Sequence, residues 1–403
     1  MAVKATRSGF FNPKPSNPVS SLVPKCGICK LCDECNSPKM EMVGNGRLGI
    51  LIVGEAPGCV EDEEGEQLTG DAGRRLQSDL GDLGVDLEED CWYTDAVRCR
   101  PPNDREPTSR EIGFCRPNLI KIINKCKPKM IIPLGMVALK SLIGDQYERN
   151  MGSLGQWVGW RIPSHKYNAW ICPNYHSSYL LDEDNPVLDL WYRRYLRRAL
   201  KLEGERPWLD GPPDYTKGVK VILDSDQAAE AIWKMSREKR PTAFDYETNR
   251  LKPDHPDARI YCCSLSNRKD QAIAFLWYGK AVVAMKEDFL FNKSIPKIAA
   301  NLKMEDRWTR RMFGKSVCNW QHDTMQAAHI LDNRSGITSL KFQTFMNFGV
   351  SDYDSHMGKW LRSDGGGNTP NKIDEADAEQ VLLYNGLDSL FTYKLALKQR
   401  KEL

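Results

Sequence analysis

Apolar positions along this 403-residue chain follow more than one period, and the elements they predict fall into two groups. In the first group, the unbroken apolar runs of "RLGILIVG" (47–54) and "KMIIPLG" (129–135) predict strands buried on both faces. Between and after them, "AGRRLQSDLGDLG" (72–84) predicts a helix closed by glycine, and "PVLDLWYRRYLRRALKLEG" (186–204) an amphipathic one. Such alternation predicts an α/β sandwich around a mostly parallel sheet. In the second group, "VKVIL" (219–223) and "TAFDYET" (242–248) predict strands flanking a helix at "QAAEAIWKMSREK" (227–239). "RIYCCSLSNRKDQAIAFLW" (259–277) predicts a hairpin turned at Asn267–Asp270. Helix-rich sequence follows to the C-terminus, broken by "SDGGGNTPNK" (363–372). No internal repeat is visible.

The two groups are separated by "GERPWLDGPPDYTKG" (204–218), which has Gly, Pro and no periodicity and reads as a linker. The expected organisation is a basic flexible arm (1–24), a first domain (25–203), the linker, and a second domain (219–403). The length suits two domains. No apolar run is long enough to span a bilayer, and the N-terminus lacks the apolar middle of a signal peptide, so a cytoplasmic address and no membrane partner are expected. Thirteen cysteines in that setting point to metal ligands or reduced thiols rather than disulfides. The net charge of +3 is too small to identify a polyanionic partner, but residues 1–32 carry five Lys or Arg and no acid, an arm suited to phosphates.

In "FDYETN", Asp245 and Glu247 leave the same face of a strand. Carboxylates so placed repel one another, and a divalent cation is the usual reason for them to share a face. "ANLKMEDRW" adds Glu305 four residues beyond Asn301, and "YNGLDSLFTYKL" places Tyr384 and Asp388 on one face of a helix. These three stations, in this order, resemble the tyrosine subtype of the DEDD 3′-to-5′ exonucleases, nearest the proofreading domain of family A DNA polymerases, especially phage ones. The resemblance covers residues 219–403. It implies a ribonuclease H-like fold in which Asp245, Glu247, Glu305 and Asp388 hold two Mg²⁺ or Mn²⁺ ions and Tyr384 orients the attacking water. Two such ions stabilise the attacking and leaving oxygens of an in-line phosphoryl displacement. The family's middle carboxylate is usually Asp. Here Glu305 is followed by Asp306, and Asn319 with Asp323 forms a competing pair. Glu305 is preferred because "DTMQAAHIL" (323–331) resembles the family's next segment, in which the Asp is structural, as a helix N-cap would be. No palm or fingers sequence is recognised, so a polymerase would be a separate subunit or part of a longer chain.

Cys26, Cys29, Cys32 and Cys35 recur at three-residue intervals, a strong sign of metal. Zinc could take all four; an iron-sulfur cluster could combine some of them with Cys99 and Cys115. "GEAPG" (54–58), "TGDAG" (69–73), "TDAVRCRPPNDREP" (94–107), "IIPLG" (131–135) and "HSSYLL" (176–181), with the sixteen-residue step from Cys99 to Cys115, resemble the family 4 uracil-DNA glycosylases over about residues 25–200. The resemblance implies a four-iron four-sulfur cluster on Cys26, Cys29, Cys99 and Cys115, with Cys32 or Cys35 as alternatives to the first two. It also implies that Glu55 activates or orients a water and that His176 stabilises negative charge on a departing base.

Three positions depart from that family. Asp95 stands where an asparagine reads uracil, and an ionised carboxylate accepts hydrogen bonds but cannot donate to O4. Leu68 replaces a stacking phenylalanine, and Ser177 replaces a proline. Each unmatched contact costs roughly 1–3 kcal/mol, so uracil excision is expected to be impaired. Arg98, Arg100, Arg105 and Arg110 are expected to be available to phosphates. The combined expectation is a metal-dependent 3′-to-5′ DNA exonuclease fused to a glycosylase-like iron-sulfur DNA-binding domain. It is expected to be phage-encoded, and so in the host cytoplasm, and to act on single strands or primer 3′ ends beside a separate DNA polymerase. The alternatives are a glycosylase of uracil or altered base specificity and a non-catalytic polymerase accessory.

Overall fold

A computed structural model describes residues 23–403 except 148, 184, 203, 352, 354, 364 and 366. Of the expected arm 1–24, all but Val23 and Pro24 lie outside the described residues. The chain divides into two compact units, one running up to Pro212 and including Phe345–Ser351, the other taking Pro213–Thr344 and the sequence beyond 351. The division falls inside the expected linker. Part of that linker is ordered, however: the Arg206 guanidinium donates to the carbonyls of Lys127, Pro128 and Asn168.

The first unit is built on β1 (Ile50–Gly54), β2 (Cys91–Asp95), β3 (Met130–Pro133), β4 (Ile162–Ser164) and β5 (Ala169–Ile171), in the order β2-β1-β3-β5-β4. Every pairing is parallel except β4 with β5. β1 and β3 are buried throughout, as their apolar runs predict for a parallel sheet covered on both faces. Helices Asp71–Gly81 and Pro186–Leu200 contribute Leu76, Leu80, Tyr192 and Leu196 to the core formed with Ile50, Ile52 and Ile132. In an open sheet of this kind ligands bind beyond the carboxyl ends of the strands, and Asp95 sits there, paired with Gly54.

Cys115 lies in helix Ser109–Cys126, whose N-terminus is closed by Thr108 and Glu111 in reciprocal hydrogen bonds. That capping box was present in the sequence and would have placed the helix start.

The second unit is built on β6 (Val219–Ile222), β7 (Thr242–Thr248), β8 (Ile260–Arg268), β9 (Gln271–Leu276), β10 (Lys297–Ala299) and β11 (Trp320–Asp323), in the order β11-β10-β7-β8-β9-β6. β7, β8 and β9 form an antiparallel meander, and the β8–β9 hairpin turns at Lys269–Asp270, between paired Arg268 and Gln271. β6, β10 and β11 run parallel to their neighbours. β10 and β11 add two strands to the helix-rich sequence expected after residue 277; strands of three and four residues are too short to show a period. Helix Ala378–Gln399 is buried on nearly every side, which suits its low polarity. It packs on the sheet so closely that a Cβ on Gly386 would lie 2.3 Å from Val219 Cγ1. Among the described residues no helix is long and apolar enough to cross a membrane.

Candidate functional site

The second unit brings together carboxylates from a strand and two helices. Asp245 and Glu247 leave one face of β7, and with Asp388 from helix Ala378–Gln399 they offer oxygens all within 4.8 Å of one another. Glu305, in helix Leu302–Phe313, is 1% exposed and its Oε2 has no hydrogen-bond partner. Burial, and then the charge of Asp245, push the Glu305 carboxyl well above its ordinary range. Asp245 is raised too, by burial and then by Asp388, against the opposing influence of Lys341 and of the Asn385 amide that donates to it at 2.8 Å. Buried carboxylates in mutual repulsion with an unmatched oxygen among them are what hard divalent cations satisfy, so Asp245, Glu247, Glu305 and Asp388 fit the two-ion set.

The two competing acids are engaged elsewhere. Asp306 accepts from Arg310 Nε at 2.6 Å, Val317 N at 2.9 Å and Trp320 Nε1 at 3.4 Å. Burial raises its carboxyl, but these donors outweigh burial and hold it below the ordinary value. Asp323 caps helix Thr324–Leu331 through Met325 N at 2.9 Å and also receives Asn301 N and Leu302 N, each at 3.0 Å. Glu305→Gln is therefore expected to weaken Mn²⁺ binding at least about tenfold, the loss of one hard anionic ligand, and Asp306→Asn to change it less than about twofold. Calorimetric titration of both variants distinguishes the two.

Tyr384 is buried one helical turn before Asp388. Lys341 and Tyr353 both donate to Asp388 Oδ1, and the Lys341 ammonium lies 4.0 Å and 4.3 Å from the ring centres of Tyr353 and Tyr384. Lys341, Tyr353 and Asn385 escaped the sequence analysis; Asn385 alone carried a signal, lying between Tyr384 and Asp388 on the same helix.

In the first unit Cys26, Cys29, Cys32, Cys99 and Cys115 line one small cavity with Leu31, Val97 and Phe114, and Cys35 sits beside Cys99 off that lining. Cys26–Cys29 forms a single helical turn ended by Lys30 at φ 61°. Burial pushes the Cys99 thiol up to about 12 and also raises Cys29 and Cys115. Lys39 N donates to Cys99 Sγ at 3.3 Å and Asn118 Nδ2 to Cys115 Sγ at 3.5 Å. Buried thiols are stable as thiolates only beside a strong positive centre, and N–H···S contacts are typical of iron-sulfur sites, so this set fits a cluster. Of the four N-terminal cysteines, Cys26, Cys29 and Cys32 line the cavity itself, and Cys35 adjoins it through Cys99.

Beyond the carboxyl ends of β1 and β2 lies a cleft of about 270 Å³ whose lining includes Glu55, Glu61, Gln67, Leu68, Asp95 and His176. Glu61 ties its glycine loops together: Gly58 N donates to it at 3.2 Å and Gly70 N at 2.8 Å. Burial, then Glu106, raise Glu55 to about 7 against the pull of Lys140. His176 Nδ1 accepts from Ser178 N at 3.3 Å, capping helix Ser177–Asp182. Burial lowers the imidazole below its ordinary value, so the neutral ring carries its proton on Nε2 and can donate it to an anion. Three of the four arginines expected to meet phosphates are engaged internally: Arg98 with Lys39 O, Met40 O and Glu41, Arg100 with Asp104, and Arg105 with Glu111. Arg110 is exposed and lies over Phe114.

Asp95 accepts from the Tyr93 hydroxyl at 3.0 Å, and both approach Gly54 so closely that a Cβ there would lie 2.1 Å from Tyr93 Oη and 2.3 Å from Asp95 Oδ1. Burial raises Asp95 from 3.8 to about 7, with Tyr93 and Gln67 opposing and Glu61 and Glu55 adding to the rise. A folded carboxyl above its unfolded value binds its proton more tightly when folded, so the stability it contributes is complete below about 3.8 and is lost as pH rises through about 7. Asp95→Asn is expected to raise the thermal midpoint more at pH 8 than at pH 5, by a difference of roughly 1–3 kcal/mol in stability. Calorimetric melts at the two pH values check this.

Comparison with known proteins matches the uracil DNA glycosylase superfamily to residues 42–201 and a 3′-5′ exonuclease family to residues 219–403. A type-4 uracil-DNA glycosylase of Pyrobaculum aerophilum is 38% identical over 162 residues, covering 38% of this chain and 81% of that one. A second, from Saccharolobus solfataricus, is 34% identical over 164 residues, covering 40% and 74%. A DNA polymerase of Bacillus phage SP01 is 24% identical over 325 residues, covering 75% of this chain and 34% of that protein. That match is longer than residues 219–403 and so extends into the first half.

Proposed function

We propose, for a chain that belongs to the uracil-DNA glycosylase superfamily over residues 42–201 and carries a 3′-5′ exonuclease domain over residues 219–403, that it removes nucleotides from DNA 3′ ends while its first domain engages DNA. The observation that supports this most directly is the convergence of Asp245, Glu247 and Asp388 within 4.8 Å beside the unmatched oxygen of Glu305. With two Mg²⁺ or Mn²⁺ ions held by these four residues, the site supplies Lewis-acid stabilisation of a phosphoryl displacement. Tyr384 orients the attacking water, Asn385 fixes Asp245 against β7, and Lys341 and Tyr353 hold the Asp388 carboxylate in one orientation. Water attacks the terminal phosphodiester, and the bond to the 3′ oxygen of the preceding nucleotide breaks.

In this proposal the domains are residues 25–203 and 219–403, joined by 204–218, and Cys26, Cys29, Cys99 and Cys115 hold a four-iron four-sulfur cluster. The chain spans about a third of the phage polymerase that it resembles across both halves. That resemblance supports a proofreading role alongside polymerase activity, in a phage replication setting within the host cytoplasm. The test is hydrolysis of 5′-labelled single strands and of matched and mismatched primer ends by the purified chain. A Mg²⁺-dependent ladder that favours mismatched ends is expected; an intact strand with either metal overturns the proposal.

A second proposal, glycosylase activity of the first domain, is favoured by a specific pair: Glu55, raised to about 7 and suited to handle a proton, and the neutral His176, suited to donate to a departing base anion. Alkali-sensitive sites in uracil-containing duplexes are its readout.

A further inference from the structure

Two buried polar atoms in the cleft of the first unit have no hydrogen-bond partner, and they are of opposite character. Asp95, 2% exposed, gives Oδ1 to the Tyr93 hydroxyl and leaves Oδ2 unmatched. Gln67, 7% exposed, leaves Nε2 unmatched. Both line the same cavity of about 270 Å³. A buried polar group without a partner is rare in a folded protein, because it has given up water and gained nothing in return. The Gln67 amide lies near enough to the Asp95 carboxylate to favour its ionised form, as a donor does, yet neither Nε2 nor Oδ2 completes a hydrogen bond. An acceptor and a donor, side by side on a cavity wall, are satisfied together by a ligand edge that places a donor next to an acceptor.

We propose that Gln67 is a base-reading residue: the Asp95 carboxylate accepts from N3–H of a uracil turned out of the helix, and the Gln67 amide donates to its O4. The proposal rests on the glycosylase function suggested for this cleft and deepens it. A single asparagine presents both a donor and an acceptor; here the two are divided between β2 and the loop before helix Asp71–Gly81. Asp95 therefore does not by itself remove uracil from the substrate range, because the donor it lacks comes from its neighbour. Cytosine has an acceptor at N3 and a donor at N4, so it meets Asp95 and Gln67 with two mismatches and is rejected.

The test measures single-turnover release of uracil from a uracil-containing duplex at pH 8 by the full chain, with chelator present to silence metal-dependent hydrolysis of the ends. Gln67→Met keeps the shape of the side chain and removes the amide. It is expected to slow release about 10- to 100-fold, the usual effect of one lost donor to a base edge. Asp95→Asn carries its own donor, so the same Gln67→Met change made in that background is expected to cost less than about threefold. Equal losses in the two backgrounds would show that Gln67 acts only through packing and would overturn the proposal. Release by Asp95→Asn but not by the natural chain would overturn it as well, while leaving the cleft's glycosylase function standing. If neither protein releases uracil, that function fails and the proposal fails with it.

Discussion

Asp245→Ala is expected to lower hydrolysis of a 5′-labelled single strand by about 10³-fold or more, roughly 4 kcal/mol in transition-state stabilisation. The size follows from where Asp245 sits. It shares the 4.8 Å group with Glu247 and Asp388, Asn385 orients it, and its charge is what raises Glu305 after burial. Removing it takes away an anionic ligand and leaves the Asn385 amide without its carboxylate partner. Because the same change relieves repulsion among buried carboxylates, the variant is expected to melt at or above the temperature of the natural chain in chelator. A loss of hydrolysis together with a fall in that melting temperature would point to misfolding instead. Hydrolysis equal to that of the natural chain would remove Asp245 from the site.

Cys99→Ser is expected to bleach the visible absorption of the purified chain, empty it of iron, and lower its melting temperature by roughly 10 °C, since binding energy at such a site is also folding energy. Cys99 is buried, burial pushes its thiol up to about 12, and the Lys39 amide donates to its sulfur, so its loss removes a ligand from the interior of the site. Cys35→Ser, off the cavity lining, is expected to keep colour, iron and melting temperature. A colourless natural chain with stoichiometric zinc would overturn the cluster assignment.

How much of this was legible depended on whether the determining pattern was local. The Asp245–Glu247 pair needed only the period of a strand, and Tyr384–Asp388 only that of a helix, and both lie together in the structure. The choice between Glu305 and Asp306 is a matter of helix phase, since adjacent positions point about 100° apart. The signal was present in Trp308 and Thr309, which lie three and four residues on and are buried on the same face as Glu305. Lys341 and Tyr353 left no such trace: each comes to its site from a distant stretch of chain, and only the packed fold brings it there, whereas Gln67 stands beside Leu68 and was passed over for its neighbour. β10 and β11 were missed because they are too short for a period to show: β10 is buried at all three positions, and β11, at the sheet edge, at none. The arginines after Asp95 carried charge density in the sequence but no sign of their partners, and three of the four form ion pairs within the fold.

Glu61 has a consequence for how the cleft can vary over generations. One carboxylate receives the amides of both glycine loops, and a side chain at either Gly58 or Gly70 would come within 2.8 Å of it. A substitution in one loop therefore dislodges the anchor of the other. The two segments are expected to be inherited as a block, leaving positions such as Gln67, Leu68 and Asp95 as the places where a lineage can change what the cleft accepts without dismantling its wall.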